Sequence, residues 1–138
     1  MRIGALKLKA QIYCGDVPAM GPGKADLLEA IGSEGSITAA GRALGMSYRR
    51  TWMLVDEMNR CFRHKLVETL TGGGRERGAR LTDTGRTVLA AYRDIEAATA
   101  VVADCAAYRT VAGMIFDQPL PPHGKPASTN SGPRRVHR

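Results

Sequence analysis

Arg49 and Arg50 stand in the run Gly45-Met46-Ser47-Tyr48-Arg49-Arg50. A guanidinium presents its donors in a fixed fork that matches O6 and N7 of guanine, so an arginine at the start of a helix can tell one base pair from another. Further on comes Thr71-Gly72-Gly73-Gly74-Arg75-Glu76-Arg77-Gly78-Ala79-Arg80. Gly72, Gly73 and Gly74 let the backbone approach a phosphate or a minor groove closely, and Arg75, Arg77 and Arg80 supply positive charge. The chemistry these residues suit is recognition of a polyanion. Each signal has a plainer alternative: two exposed arginines can be a solvated helix face, and a glycine run can be a tolerant surface loop.

Bond-making chemistry finds little support. Cys14, Cys61 and Cys105 are odd in number, far apart and in no Cys-x-x-Cys pair, so neither a disulfide framework nor a zinc site is expected. His64, His123 and His137 have no metal-ligand spacing, and Cys61 with His64 is more simply a core thiol beside a surface imidazole. The Gly-Pro-Gly-Lys run at residues 21–24 is not a phosphate-binding P-loop, because Pro18 and Ala25 occupy the places of its first glycine and its Ser/Thr. No catalytic residue, cofactor or metal is expected.

The elements that must position the arginines lie in residues 36–82. Ser36 has the hydroxyl of an N-cap, Ile37, Ala40 and Leu44 follow at helical spacing, and Ala39, Ala40 and Gly41 are small enough to let a second helix approach. Gly45 suits the left-handed end of that helix, Met46 anchors the turn, and Ser47 caps a second helix. On this second helix Thr51, Val55, Met58 and Phe62 form a buried stripe widened by Leu54 and Cys61, while Tyr48, Arg49, Arg50 and Met53 take the opposite face. Two helices so joined are a helix-turn-helix, whose second helix enters the major groove by its N-terminal part. Ser36 and Thr38 complete the expected DNA contacts on the first helix. Trp52 is expected in the core, locking the two helices, with a groove-facing position as the alternative. Residues 66–70 and 79–82 predict two short strands, a wing around the glycine-rich loop.

The predicted architecture is mainly α with a small β-hairpin: a winged helix-turn-helix with an N-terminal strand and a long C-terminal dimerisation helix. Alternation of Leu6, Leu8, Ala10, Ile12 and Cys14 with polar neighbours predicts the strand, added to the wing sheet or paired across a dimer, with residues 15–23 as connector. Leu27, Leu28 and Ile31 give a first helix one apolar face, with Pro22 near its start and Gly35 at its end. Thr82 caps a last helix whose stripe of Val88, Leu89, Tyr92, Ile95, Thr99 and Val102 is too long for so small a core, so part of it is expected to meet a second copy. Domain limits are set at 1–117, with 118–138 a disordered basic tail holding five of the seven prolines.

The chain of 138 residues carries a net charge of +7, which favours a polyanionic partner. Residues 36–82 hold nine Lys/Arg against four Asp/Glu, a net of +5, whereas residues 83–105 hold two against four, a net of −2. The basic charge sits on the expected binding unit. No apolar run approaches the roughly 18 residues of a membrane span, and the N-terminus makes a poor signal peptide. A cytoplasmic location is expected.

Residues 24 to about 105 resemble the N-terminal winged-helix domain of ModE-type molybdate-responsive regulators and, more distantly, the DNA-binding domain of LysR-type regulators. The matching pieces are GSITAAGRALGMSY, Trp52 four residues after Tyr48, Glu57-Met58-Asn59, LVETLTGG and LTDTGRTVLAAY. The resemblance implies groove contacts from residues 47–52, phosphate or minor-groove contacts from residues 72–80, and dimerisation through residues 88–102. Full-length members continue into β-rich domains that bind molybdate through a Ser-Ala-Arg-Asn type motif, which this sequence does not contain. The resemblance supports binding of double-stranded DNA, with a homodimer reading an inverted repeat as the expectation, but not oxyanion sensing by this chain alone. That leaves open a stand-alone regulator, one that senses through a separate protein, and one that senses nothing. The competing expectation is a winged-helix module that binds protein, or DNA without sequence preference.

Overall fold

The computed structural model describes residues 1–70 and 78–123. Its elements run β1 (Arg2–Ile3), β2 (Leu6–Lys7), β3 (Ile12–Cys14), β4 (Val17–Met20), α1 (Pro22–Glu34), α2 (Ile37–Ala43), α3 (Tyr48–Cys61), β5 (Val67–Thr69), β6 (Ala79–Leu81), α4 (Asp83–Thr99) and α5 (Ala106–Ala112). Three helices and a hairpin in this order are a winged helix-turn-helix. Met1–Cys105 forms one compact unit, and a second, which holds α5, begins at Ala106.

The helices begin and end where their sequences set them. Pro22 opens α1, where its missing N–H costs nothing, and Gly35 closes it at φ 76°. Ser36 accepts from the Ala39 N–H at the start of α2, Ser47 accepts from the Arg50 N–H at the start of α3, and Thr82 accepts from the Gly85 N–H at the start of α4. Leu27, Leu28 and Ile31 of α1, Ile37 and Ala40 of α2, and Leu54, Val55 and Met58 of α3 meet in one core, closed below by Leu66, Val67 and Leu81 of the wing. Burying several such side chains contributes on the order of 2 kcal/mol each. Across the top of α1 and α4, Arg93 bonds Asp26, Glu29 and Glu96 together. Burial works against the Arg93 charge, but its hydrogen bonds to these three carboxylates prevail and hold its pKa above the usual arginine value.

The N-terminal segment differs from the single strand that its alternation predicts. It forms two antiparallel hairpins, β1 with β2 and β3 with β4, neither of which joins the wing strands. The alternation holds through Leu6, Leu8 and Ala10, which are half-buried, and fails at Ile12 and Cys14, which are exposed. Gly15, at φ 61°, turns the chain back so that part of the expected connector becomes β4. The backbone of residue 10 is taken instead by Tyr92, whose hydroxyl donates to the Ala10 carbonyl at 2.7 Å.

The last helix also ends earlier than its proline-free sequence predicts. α4 stops at Thr99, a 3-10 turn covers Ala100–Asp104, and α5 follows after Cys105. Gly85 and Tyr92 are its only buried residues, so beyond Tyr92 packing no longer enforces a straight helix. The Thr99 hydroxyl donates to the Glu96 carbonyl at 2.7 Å, and such back-bonding favours departure from helical geometry. Val88 and Leu89 pack against their own core, and Tyr92 is 1% exposed within its own chain. Those three members of the expected dimerisation stripe are therefore spent internally. Ile95 and Val102 are exposed, with Thr99 half-buried.

Candidate nucleic-acid interface

The turn between α2 and α3 is set by two glycines. At Gly45 the backbone takes φ 73°, a conformation that glycine adopts without the steric cost of a Cβ. Gly41 lets the helices cross closely, since a Cβ there would lie 2.0 Å from the Thr51 hydroxyl oxygen. The Met46 N–H then donates to the Gly41 carbonyl at 2.8 Å, and Met46 packs against the core. The result fixes α3 with Thr51, Leu54, Val55 and Met58 inward. Tyr48, Arg49, Arg50 and Met53 point to solvent.

Arg49 and Arg50 form no ion pair with another described residue, and neither does Arg42 on α2. Unpaired guanidinium groups on the first turn of α3 can donate to base edges or phosphates without first losing a partner. Ser36 and Ser47 use their oxygens as cap acceptors but keep a hydroxyl proton to donate. Thr38 is half-buried on α2. Trp52 departs from the expected core position. It is 37% exposed, because it follows Thr51 by one residue and is thereby rotated off the buried stripe. Its ring stands 6.1 Å from that of Tyr48, and the two aromatics make one surface beside the arginines. Behind Trp52 an opening of about 280 Å³ runs past Ile37, Val55 and Asn59 to the wing strands.

The wing pairs Val67 with Leu81, Glu68 with Arg80 and Thr69 with Ala79. Gly72, Gly73, Gly74, Arg75 and Arg77 lie outside the described residues. Arg80 is not a free cation: its Nε is 2.6 Å from the Glu68 carboxylate directly across the hairpin. A phosphate would have to displace that partner, and an exposed pair of this kind is worth about 0–1 kcal/mol. The Ala79 N–H donates to the Gly35 carbonyl at 2.9 Å, tying the wing to the end of α1.

Two positioning contacts escape sequence reasoning. Asn59 on α3 accepts from the Leu66 N–H at 2.9 Å and the Val67 N–H at 3.1 Å, and donates to the Val67 carbonyl at 3.1 Å. One amide thus sets the wing's position on α3. Lys24, almost fully buried, pairs with Glu57 of α3 at 2.9 Å and also donates to the Pro18 carbonyl. An asparagine next to a core methionine and a lysine at a helix start are the only signals, and neither reveals a partner. Among the described residues no cluster of three His, Cys, Asp or Glu side chains is placed to hold a metal ion, and no helix is long and apolar enough to cross a membrane.

Residues 24–86 match the bacterial regulatory helix-turn-helix protein family of the LysR type. The chain is similar over this part to LysR-type helix-turn-helix proteins and, in pairwise comparison, to ModE-type proteins. Its region of similarity is 43% identical over 70 residues to the molybdenum transport protein ModE of Azotobacter vinelandii, covering 51% of this chain and 26% of that protein. It is 43% identical over 81 residues to the molybdenum-pterin-binding protein MopB of Rhodobacter capsulatus, 59% of this chain and 30% of that one. Against the DNA-binding transcriptional dual regulator ModE of Escherichia coli K12 it is 34% identical over 87 residues, 63% of this chain and 31% of the regulator. The match thus spans roughly a third or less of each relative. The helix-turn-helix, Trp52, Asn59 and the wing strands all lie within the matched residues 24–86.

Proposed function

We propose that this chain is a transcriptional regulator that reads an inverted repeat in double-stranded DNA as a homodimer. The observation that carries the proposal is the first turn of α3, where Arg49 and Arg50 stand exposed beside Tyr48 and Trp52 without an ion-pair partner among the described residues. In a helix-turn-helix that turn is the part that enters the major groove. Ser36, Thr38, Ser47 and Met53 border it, and the wing residues 72–80 add contacts to the phosphates alongside. Self-association is assigned to exposed Ile95 and half-buried Thr99 at the end of α4, with exposed Val102 in the 3-10 turn after it. From the names of the relatives, the target genes are those of molybdenum metabolism. The matched region is proposed to correspond to the DNA-binding part of those proteins.

Selection of bound duplexes from a random pool, with and without molybdate, tests this function. A palindromic consensus supports the dimeric regulator, and Arg50→Ala is expected to relax the preference at one position at a cost of about 1–3 kcal/mol. Equal loss on selected and random duplexes would remove Arg50 from base reading. No enrichment over random DNA would refute the proposal in favour of a protein-binding or non-specific module.

A further inference from the structure

The helix-turn-helix and wing leave the N-terminal hairpins without a role. Between these hairpins, the start of α1 and one side of α3 lies a cleft of about 510 Å³. Its walls include Lys7 at the end of β2, Lys9 and Gln11 of the following segment, and Arg50, Met53 and Glu57 of α3. Lys7, Lys9 and Arg50 are exposed and have no ion-pair partner among the described residues. Among the described residues on the walls Glu57 is the one carboxylate, and Lys24 already holds it at 2.9 Å. Lys7, Lys9 and Arg50 therefore share a cleft in which the one described acid is already paired, and their mutual repulsion is relieved when an anion enters. Gly21, Pro22 and Gly23 line the same cleft, and the Gly21 N-cap gives α1 no side-chain cap. The first N–H groups of α1 add to the positive potential.

We infer that this cleft is a second DNA contact, a seat for backbone phosphates beside the groove that α3 enters, with Lys7 and Lys9 as its clamps. The occupant is set by Arg50, which belongs both to the cleft wall and to the exposed first turn of α3. A duplex engaged by that turn carries its phosphates past the mouth of the cleft. Lys7 and Lys9 contact phosphate, which is identical at every base pair, so they strengthen binding to all sequences and specify none. This inference rests on the DNA-reading function proposed above.

The test compares the full chain with the double variant Lys7→Gln/Lys9→Gln by fluorescence anisotropy, on the selected duplex and on a random duplex, across a salt series. Both lysines are exposed, so the variant is expected to keep the wild-type melting temperature. Each lost phosphate contact lowers the slope of log K against log salt by about 0.9, so the slope should fall by about 2. Affinity should fall by a similar factor on both duplexes, the selected consensus should not change, and Lys7→Arg/Lys9→Arg should keep the wild-type slope. A wild type that binds with a steep slope and a glutamine variant that matches it would overturn the cleft assignment alone. Loss confined to the selected duplex would overturn it too, because the lysines would then be reading bases. A wild type that binds neither duplex would overturn the DNA-reading function itself, and the cleft assignment with it.

Discussion

Asn59→Ala is the sharpest test of how the wing is held. The amide makes three hydrogen bonds, to the Leu66 N–H, the Val67 N–H and the Val67 carbonyl. The side chains of Leu66 and Val67 are buried at 0% and 2% exposure, so the junction is screened from solvent on its inner side. A hydrogen bond contributes about 1 kcal/mol net, and an orphaned buried group costs more. Asn59 itself is half-buried, which lets water reach part of the vacated site. The expected loss is therefore about 2–3 kcal/mol, a fall in melting temperature of about 4–8 °C for each kcal/mol in a domain of this size. Urea unfolding measures the free energy, and hydrogen exchange at the Leu66 and Val67 amides reports the junction directly. Asn59→Asp keeps both acceptor bonds but sets a carboxylate oxygen against the Val67 carbonyl where the amide donated, so the Leu66 and Val67 amides should stay protected while stability still falls. A loss for Asn59→Ala below about 0.5 kcal/mol, with both amides still protected, would show that the strand positions itself without Asn59.

Gly41→Ala places a Cβ 2.8 Å from both the Cβ and the Cγ2 of Thr51, a fully buried residue. The two helices must then move apart, at a cost of about 1–3 kcal/mol or more by the usual penalty for overpacking. Gly41→Ala/Thr51→Ala should recover part of it in thermal melts, and no recovery would place the strain elsewhere. Tyr92 gives a pH dependence. Burial, and after it the charge of Glu96, raises its pKa above the ordinary value, which is about 10 and holds in the unfolded chain. The unfolded state therefore ionises first, so the stabilisation is complete below pH about 10 and is lost as pH rises through the folded pKa. Tyr92→Phe should cost about 1 kcal/mol at neutral pH, from the orphaned Ala10 carbonyl, and should unfold with a shallower alkaline limb than wild type. An identical limb would mean that other groups set it.

The helix-turn-helix was legible because each of its boundaries is local. A serine three residues before the N–H that it caps, or a glycine at a left-handed position, states its role within one turn of chain. The inward stripe of α3 could be read for the same reason, since it depends only on helical period. Trp52 escaped because its neighbour Thr51 takes the stripe, and a large apolar side chain gives no sign of which side of that stripe it falls. The N-terminal segment escaped because its fate depends on Tyr92, far away in sequence. Alternation specifies a half-buried edge equally well for one long strand and for a hairpin bent at Gly15. Likewise Glu68 and Arg80 both appear as surface charges in the sequence, and only the wing register makes them partners.

Pairing by register and by helix crossing also explains how the surface charge is distributed. The acids of residues 83–105 suggest a negative face, yet Glu96 joins Asp26 and Glu29 around Arg93. On α3 itself, Glu57 answers Lys24 and Asp56 answers Arg60. These pairs consume carboxylates next to the basic residues. Arg42, Arg49 and Arg50, with Lys7 and Lys9, are left without described ion-pair partners. A net charge alone raises encounter rates with any polyanion, but unpaired cations gathered where α3 begins give the encounter a direction. The internal ion pairs and the proposed DNA surface are thus two parts of one arrangement. Breaking the Lys24–Glu57 pair by Lys24→Met would free a carboxylate in the cleft beside Arg50. It should therefore weaken DNA binding more than its effect on stability accounts for, and equal losses in the two would show that the pair has no bearing on the interface.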